Sequence, residues 1–238
     1  MAPPGSSAPL GVGSTSKQRG SGSSIFPPPI VAELVRRARP VTLQRGAVLF
    51  TSGHPFESCY LVLKGVVKLS AWASRGRERI LSLQGQGALV GALGLLDGQP
   101  YSTTAVALTD GHFLAIPGAA FDDVRGRHPE IETELVRILA GKIREASENA
   151  SWGGLLDARR RVAHAVIRFA ELMGRASGET LTEIDGVTHA DISALAYVAR
   201  EEVTRTLADW KRSGIVVAAD HRQGLVVDLR RLAQEAAD

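Results

Sequence analysis

The chain has 238 residues, 44% of them hydrophobic, and a formal net charge of +3. That apolar content and length support two domains with real cores and exclude a wholly disordered chain, while so small a net charge permits a polyanionic partner without pointing to one. No apolar run approaches the about 20 residues needed to span a bilayer, and the N-terminus lacks a basic segment followed by an apolar one, so a cytoplasmic protein without membrane contact is expected.

Residues 1–29 are rich in Pro, Gly and Ser, carry Lys17 and Arg19 but no acid, and show no apolar period; they read as a disordered tail. Residues 30–128 read as one β domain. From Val41 to about Ile116, short Val/Leu/Ile-rich runs alternate with Gly53, Gly65, Gly76, Gly85, Gly98 and Gly111, the rhythm of a sandwich or jelly roll. The single cysteine, Cys59, lies in such a strand and reads as a buried, inert thiol. A roll of this kind also serves metal-dependent enzymes. Here, however, His54 and His112 are isolated from other ligands in sequence, and no nucleophile, base and orienting residue form a set, so neither a metal site nor an enzyme is expected.

Residues 129–156 place Ile131, Leu135, Ile138, Leu139 and Ile143 at helical spacing. Such a helix either presents its stripe to a second copy of the chain or packs it on the roll; Gly141 interrupts the seam. Gly153-Gly154, just ahead of Asp157, is a candidate hinge or helix break. Residues 157–238 begin with a helix from Ala158 to about Met173, with Val162, Ala165, Val166 and Phe169 inward and the basic run Arg159-Arg160-Arg161 at its start.

Within that last region, Thr188 to Arg205 reads as two short helices. Ile192, Leu195 and Ala196 would face a core, and Asp191 sits in a first turn, where its charge suits the helix dipole. Val203, Leu207 and Trp210 recur at i, i+4 and i+7, which turns Arg200, Glu201, Thr204 and Arg205 outward. An Arg fork can bond guanine O6 and N7, and a Glu can accept from cytosine N4, so Arg200 and Arg205 are the expected guanine readers and Glu201 the cytosine reader. Thr188, His189 and Thr204 are expected at phosphates or, for the first two, in the cap. Ile215–Ala219 and Leu225–Asp228 flank a five-residue loop containing Gly224, a hairpin that makes the region a winged helix-turn-helix.

The set Arg200-Glu201-x-Val203-x-Arg205, with Gly214-Ile215 and the hairpin behind it, resembles the DNA-binding end of the cAMP receptor protein/FNR (Crp/Fnr) family of bacterial transcription regulators. Upstream, Gly46–Phe50, Tyr60–Leu69 and Gly87–Leu96 resemble the β-roll of that family's effector domain in order and spacing, so the resemblance runs from about Val41 to about Leu232. It implies an α+β chain: a cyclic-nucleotide-binding-like β-roll, a long dimerisation helix and a C-terminal winged helix. It further implies a homodimer on palindromic, TGTGA-like double-stranded DNA and contact with RNA polymerase. The effector pocket it implies contains Gly91, Ala92, Leu93, Gly94, Tyr101, Ser102 and Ser147. In the family's cyclic-nucleotide binders a Glu after the equivalent of Gly91 holds the ribose and an Arg before a Ser neutralises the phosphate. This chain has Ala92 and Tyr101 there, and only Ser147 of the family's Thr-Ser adenine pair. The family's usual cAMP mode is therefore expected to be lost, leaving a different effector or none; cAMP binding through other contacts and a constitutive architectural DNA-binding protein are the alternatives. At the turn between the two helices the family commonly has Gly, where this chain has Tyr197, and Ser before the Arg, where it has Ala199.

Overall fold

The computed structural model describes residues 26–72, 76–177, 179–220 and 224–237, so most of the expected tail, residues 1–25, lies outside them. The fold starts earlier than the tail boundary at residue 29 suggests. Helix α1 (Pro28–Arg37) opens with a proline in its first turn, where the missing N–H would have had no partner and φ is already helical, and it buries Ile30 and Leu34 with Phe26 ahead of it.

The roll follows as β1 (Arg39–Leu43), β2 (Val48–Phe50), β3 (Ser58–Lys64), β4 (Val67–Trp72), β5 (Glu78–Gln84), β6 (Leu89–Val90), the short helix α2 (Gly94–Asp97), β7 (Thr104–Ala107) and β8 (Gly111–Pro117). These strands form two four-stranded sheets, ordered β1-β8-β3-β6 and β2-β7-β4-β5, with every pairing antiparallel. Their inner faces share one core in which Phe50, Val67 and Ala105 of one sheet meet Val62, Val90 and Phe113 of the other, with Tyr101 between. Strand residues alternate in and out of the pleat, which is why short Val/Leu-rich runs suffice. Cys59 is fully buried in a neighbouring cluster, and burial pushes its thiol up to about 12, so it is held as the neutral, unreactive form.

Helix α3 (Gly118–Arg125) leads into the 26-residue helix α4 (Glu130–Leu155). The expected apolar stripe of α4 divides in two. Ile131 and Leu135 are buried against α1, α3 and the roll, whereas Ile143 is 67% exposed, and Val136, which lies outside the expected stripe, is 64% exposed. Gly153 and Gly154 do not break α4, which runs through both to Leu155.

Asp157 then caps α5 (Ala158–Met173), accepting from the Arg160 N–H at 2.9 Å. A hairpin of β9 (Gly174–Ala176) and β10 (Leu181–Asp185), absent from the sequence reading, precedes α6 (His189–Ala196) and α7 (Arg200–Ser213). Strands β11 (Val216–Asp220) and β12 (Gly224–Asp228) follow, and α8 (Leu229–Ala237) closes the domain. The wing strands join that early hairpin in a single sheet ordered β11-β12-β10-β9. Because Asp220 pairs with Gly224, the ladder reaches further into the wing than a five-residue loop would allow.

The two domains are not separately cored. Val66, Ile80, Leu83 and Leu108 of the roll lie in one continuous cluster with Val162, Val166 and Phe169 of α5 and Ile192, Val203 and Trp210 of the helix-turn-helix. Glu145 of α4 ties the junction together, accepting from Ser82 of β5 and from Arg168 of α5, each at 3.4 Å.

Candidate nucleic-acid interface

Thr188 starts α6 with a capping box: its hydroxyl accepts from the Asp191 N–H at 3.1 Å, while the Asp191 carboxylate accepts from the Thr188 N–H at 3.1 Å. That reciprocal pair satisfies two backbone donors that a helix start leaves open and fixes where the motif begins. Ile192 and Ala196 of α6 are buried as their spacing demands, and Leu195 is half-buried.

The turn is held by Tyr197, the one described non-glycine residue with positive φ (54°, ψ 49°). A side chain in this left-handed region costs about 1–2 kcal/mol. Two contacts hold it in place. The Arg79 guanidinium of β5 lies 4.3 Å from the Tyr197 ring centroid, and Arg161 of α5 donates to the Tyr197 carbonyl at 3.1 Å.

Helix α7 leaves this turn from Ala199, whose extended backbone serves as N-cap without a side-chain bond. Val203, Thr206, Leu207 and Trp210 are buried along one face. Trp210 is fixed further by its Nε1–H, which donates to Glu235 of α8 at 2.9 Å, and by the Arg159 guanidinium 5.4 Å from its ring. Gly214 ends the helix at φ 73°, a conformation that favours glycine. The opposite face carries Arg200, Glu201, Thr204 and Arg205, all exposed. The residues expected to read bases, Arg200, Glu201 and Arg205, are thus brought together on one exposed face of α7.

The three expected phosphate ligands are placed differently from one another. Thr204 is on the exposed face, and its hydroxyl donates to the Arg200 carbonyl at 3.1 Å. His189 is buried, 7% exposed, with Nδ1 3.1 Å from that same hydroxyl. Since the hydroxyl proton is engaged, the ring nitrogen is the donor in that contact. Thr188, half-buried, has its hydroxyl within the capping box. Three contributors were not foreseen. Lys68 and Arg79 reach the motif from strands far away in sequence, and Glu202 pairs with Arg205 inside α7 at a legible i, i+3 spacing.

Of the effector-pocket candidates, Gly91, Gly94 and Tyr101 lie against aromatic rings. Tyr101 is 8% exposed and stacks on Phe50 at 4.1 Å between centroids; its hydroxyl donates to the Ser58 carbonyl at 2.7 Å. Gly91, at φ 78°, lies against Tyr101 and Phe50, and a side chain on Gly94 would collide with the Phe56 ring. Ala92 is buried, Leu93 is exposed at the N-cap of α2, and Ser102 is exposed. Ser147 is on α4, its hydroxyl donating to the Ile143 carbonyl at 2.9 Å. Among the described residues, no group of three or more His, Cys, Asp or Glu could hold a metal ion, and no helix is long and apolar enough to cross a membrane.

A roll of eight strands joined through a long helix to a winged helix-turn-helix defines a transcription regulator with a DNA-binding reading head and a cyclic-nucleotide-binding fold. Residues 40–128 match the cyclic nucleotide-binding domain family, and residues 160–235 match the Crp-like helix-turn-helix domain family. The chain is 29% identical over 209 residues to the CRP-like cAMP-activated global transcriptional regulator of Mycobacterium tuberculosis, covering 88% of this chain and 93% of that one. It is 31% identical over 172 residues to the cyclic AMP receptor protein of Thermus thermophilus, covering 72% and 76%. Among solved structures, a CRP/FNR-family transcriptional regulator from Thermus thermophilus aligns with a TM-score of 0.71 at 25% identity, covering 84% of this chain and 99% of that one. The chain belongs to the Crp/Fnr family of bacterial transcription regulators.

Proposed function

We propose that this regulator works in the cytoplasm as a homodimer that reads a palindromic, TGTGA-like site, with Arg200 and Arg205 at guanines and Glu201 at cytosine. The observation that carries the reading is the division of α7: one face is pinned by Val203, Leu207 and Trp210, and the other presents these three side chains to solvent. Thr204 contacts phosphate. His189 braces its hydroxyl, and Thr188 sets the helix start that aims both. The exposed Val136 and Ile143 supply the partner seam, and pairing two reading heads is what a palindrome requires. When it activates transcription, the dimer engages RNA polymerase.

The effector is something other than cAMP in its usual mode, or none. Two relatives carry cAMP in their names, but here the position expected to neutralise the phosphate is occupied by Tyr101, stacked in the core and bonded to Ser58. A phosphate deprived of a charge-assisted bond loses about 1.5–3 kcal/mol. The test is titration of the protein onto a TGTGA palindrome and a scrambled duplex at two salt concentrations, with and without cAMP. Selective binding that cAMP leaves unchanged is expected. Selectivity only with cAMP, or micromolar cAMP binding by calorimetry, overturns the effector assignment; equal affinity for both duplexes overturns the site.

A further inference from the structure

Resting on the assignment of Arg205 as a base reader, we infer that Glu202 is the positioning residue that aims the Arg205 fork at its guanine. The two side chains form an i, i+3 ion pair on α7 through Arg205 Nη2 and Glu202 Oε2. Arg200, the other guanine reader, has no carboxylate within ion-pair distance among the described residues. The two forks are therefore built differently.

The geometry makes Glu202 a guide and not a competitor. At about 100° per residue, position 202 falls on the border between the buried face of α7 and the reading face. Its side chain is 24% exposed, against 71% for Arg205. Glu202 thus reaches the fork from the side without occupying the surface that meets base edges. Helical side chains lean toward the N-terminus, so Arg205 already extends back over the turn holding Glu202. The pair holds it there, beside Arg200 and Glu201 at the end of the recognition helix that enters the major groove. A guanidinium has five N–H donors, and one bond to a carboxylate leaves enough for both O6 and N7. The carboxylate also repels phosphate, which lowers affinity for every sequence alike, so the contrast between sites comes from the aimed fork alone.

The experiment measures affinity for a duplex panel, each member changed at one base pair of the half-site, using full-length wild type, Arg205→Ala, Glu202→Ala and the double variant. Arg205→Ala identifies the base pair that Arg205 reads as the one whose discrimination collapses. At that pair Glu202→Ala is expected to reduce discrimination about two- to fivefold, the range of an exposed ion pair. It should leave the Arg200 base pair unchanged, tighten binding to scrambled DNA, and have no effect on discrimination once Arg205 is gone. Undiminished discrimination at the Arg205 pair in Glu202→Ala, or an even loss over the whole panel, overturns the inference and leaves Glu202 as a helix-start charge. If Arg205→Ala itself changes no base preference, the failure lies in the base-reading assignment, and the inference falls with it.

Discussion

The Lys68 ammonium of β4 lies 3.0 Å from the Asp191 carboxylate of α6 and 2.9 Å from the Glu78 carboxylate of β5, with the Lys68 side chain only 12% exposed. Asp191 is also half of the capping box, so the residue that starts the helix-turn-helix is tied to the roll. Arg79 over Tyr197 and Arg45 donating to the Gly186 carbonyl add two more grips on the same motif. The roll therefore holds the reading head directly, besides through the continuous apolar core. Removing Lys68 leaves two partly buried carboxylates facing each other, so Lys68→Met is expected to destabilise the protein by about 3 kcal/mol, measured by urea unfolding. A loss near zero would mean that water already screens the pair.

The same ion pair sets an acid limit. Burial pushes the Asp191 carboxyl up, but the Thr188 donors and Lys68 outweigh it and leave it below the usual aspartate range. A folded value below the unfolded one gives stability that is present above the ordinary aspartate pKa and lost as pH falls through the folded value. Lys68 is the mirror case. Burial pushes it down, Asp191 and Glu78 more than offset this, and its contribution is present below the ordinary lysine pKa and lost as pH rises through the raised one. Asp191→Asn should be less stable than wild type near neutrality and lose less on acidification below about pH 4, so the two acid limbs converge. Parallel limbs would show that Asp191 is not the titrating group.

At Tyr197 two effects of similar size oppose each other and can be separated. Tyr197→Ala keeps the left-handed backbone and loses the ring under Arg79, an expected cost of about 0.5–1 kcal/mol. Tyr197→Gly loses the same ring but removes the backbone penalty of about 1 kcal/mol, so it should lie near wild type. Tyr197→Phe keeps ring and backbone and should be neutral. Thermal unfolding of the three decides whether the aromatic contact offsets the strained turn; equal values for Ala and Gly would remove the backbone term.

The periodic parts of the molecule were legible because each repeats a simple geometric rule. Val203, Leu207 and Trp210 name the buried face of α7 by spacing alone, whereas Tyr197 stood out only against the family's usual glycine, and its left-handed backbone came from the structure. Strand β9 was not legible: Gly174, Arg175 and Ala176 carry no alternation, and pairing with β10 defines it. Helix α1 was concealed by prolines that read as tail, although Phe26, Ile30 and Leu34 already repeat every four residues. Lys68 and Asp191 lie 123 positions apart, so nothing local announces their contact. For the effector candidates, sequence marked Tyr101 as a substitution but not as a core residue, since its stacking on Phe50 depends on how the connection between α2 and β7 folds back onto β2.

Dimerisation is testable on α4, where Val136, Leu139, Ile143 and Ala146 repeat at alternating steps of three and four. Ile131 and Leu135 are buried against the roll, so a partner seam would use the later part of the stripe. Val136→Glu with Ile143→Glu places charge on this exposed seam and leaves the roll's core intact. Sedimentation should show a monomer, unfolding should change little, and affinity for the palindrome should fall about 100-fold or more as the second half-site contact is lost. A variant that remains dimeric would put the interface elsewhere.

Arg200 carries the sharpest test of the reading head, because its two possible roles leave different signatures. As a guanine reader, its replacement by Ala should weaken the TGTGA palindrome by about 1–3 kcal/mol, relax preference at one base pair and barely change binding to scrambled DNA. As a phosphate contact, it would weaken all duplexes alike and lower the salt slope by about one counterion. Arg200→Lys separates them again, since Lys keeps the charge and loses the planar fork: a phosphate contact would survive it, and a bidentate guanine contact would not. The exposed place of Arg200 in the first turn of α7, where a recognition helix meets base edges, favours the first outcome.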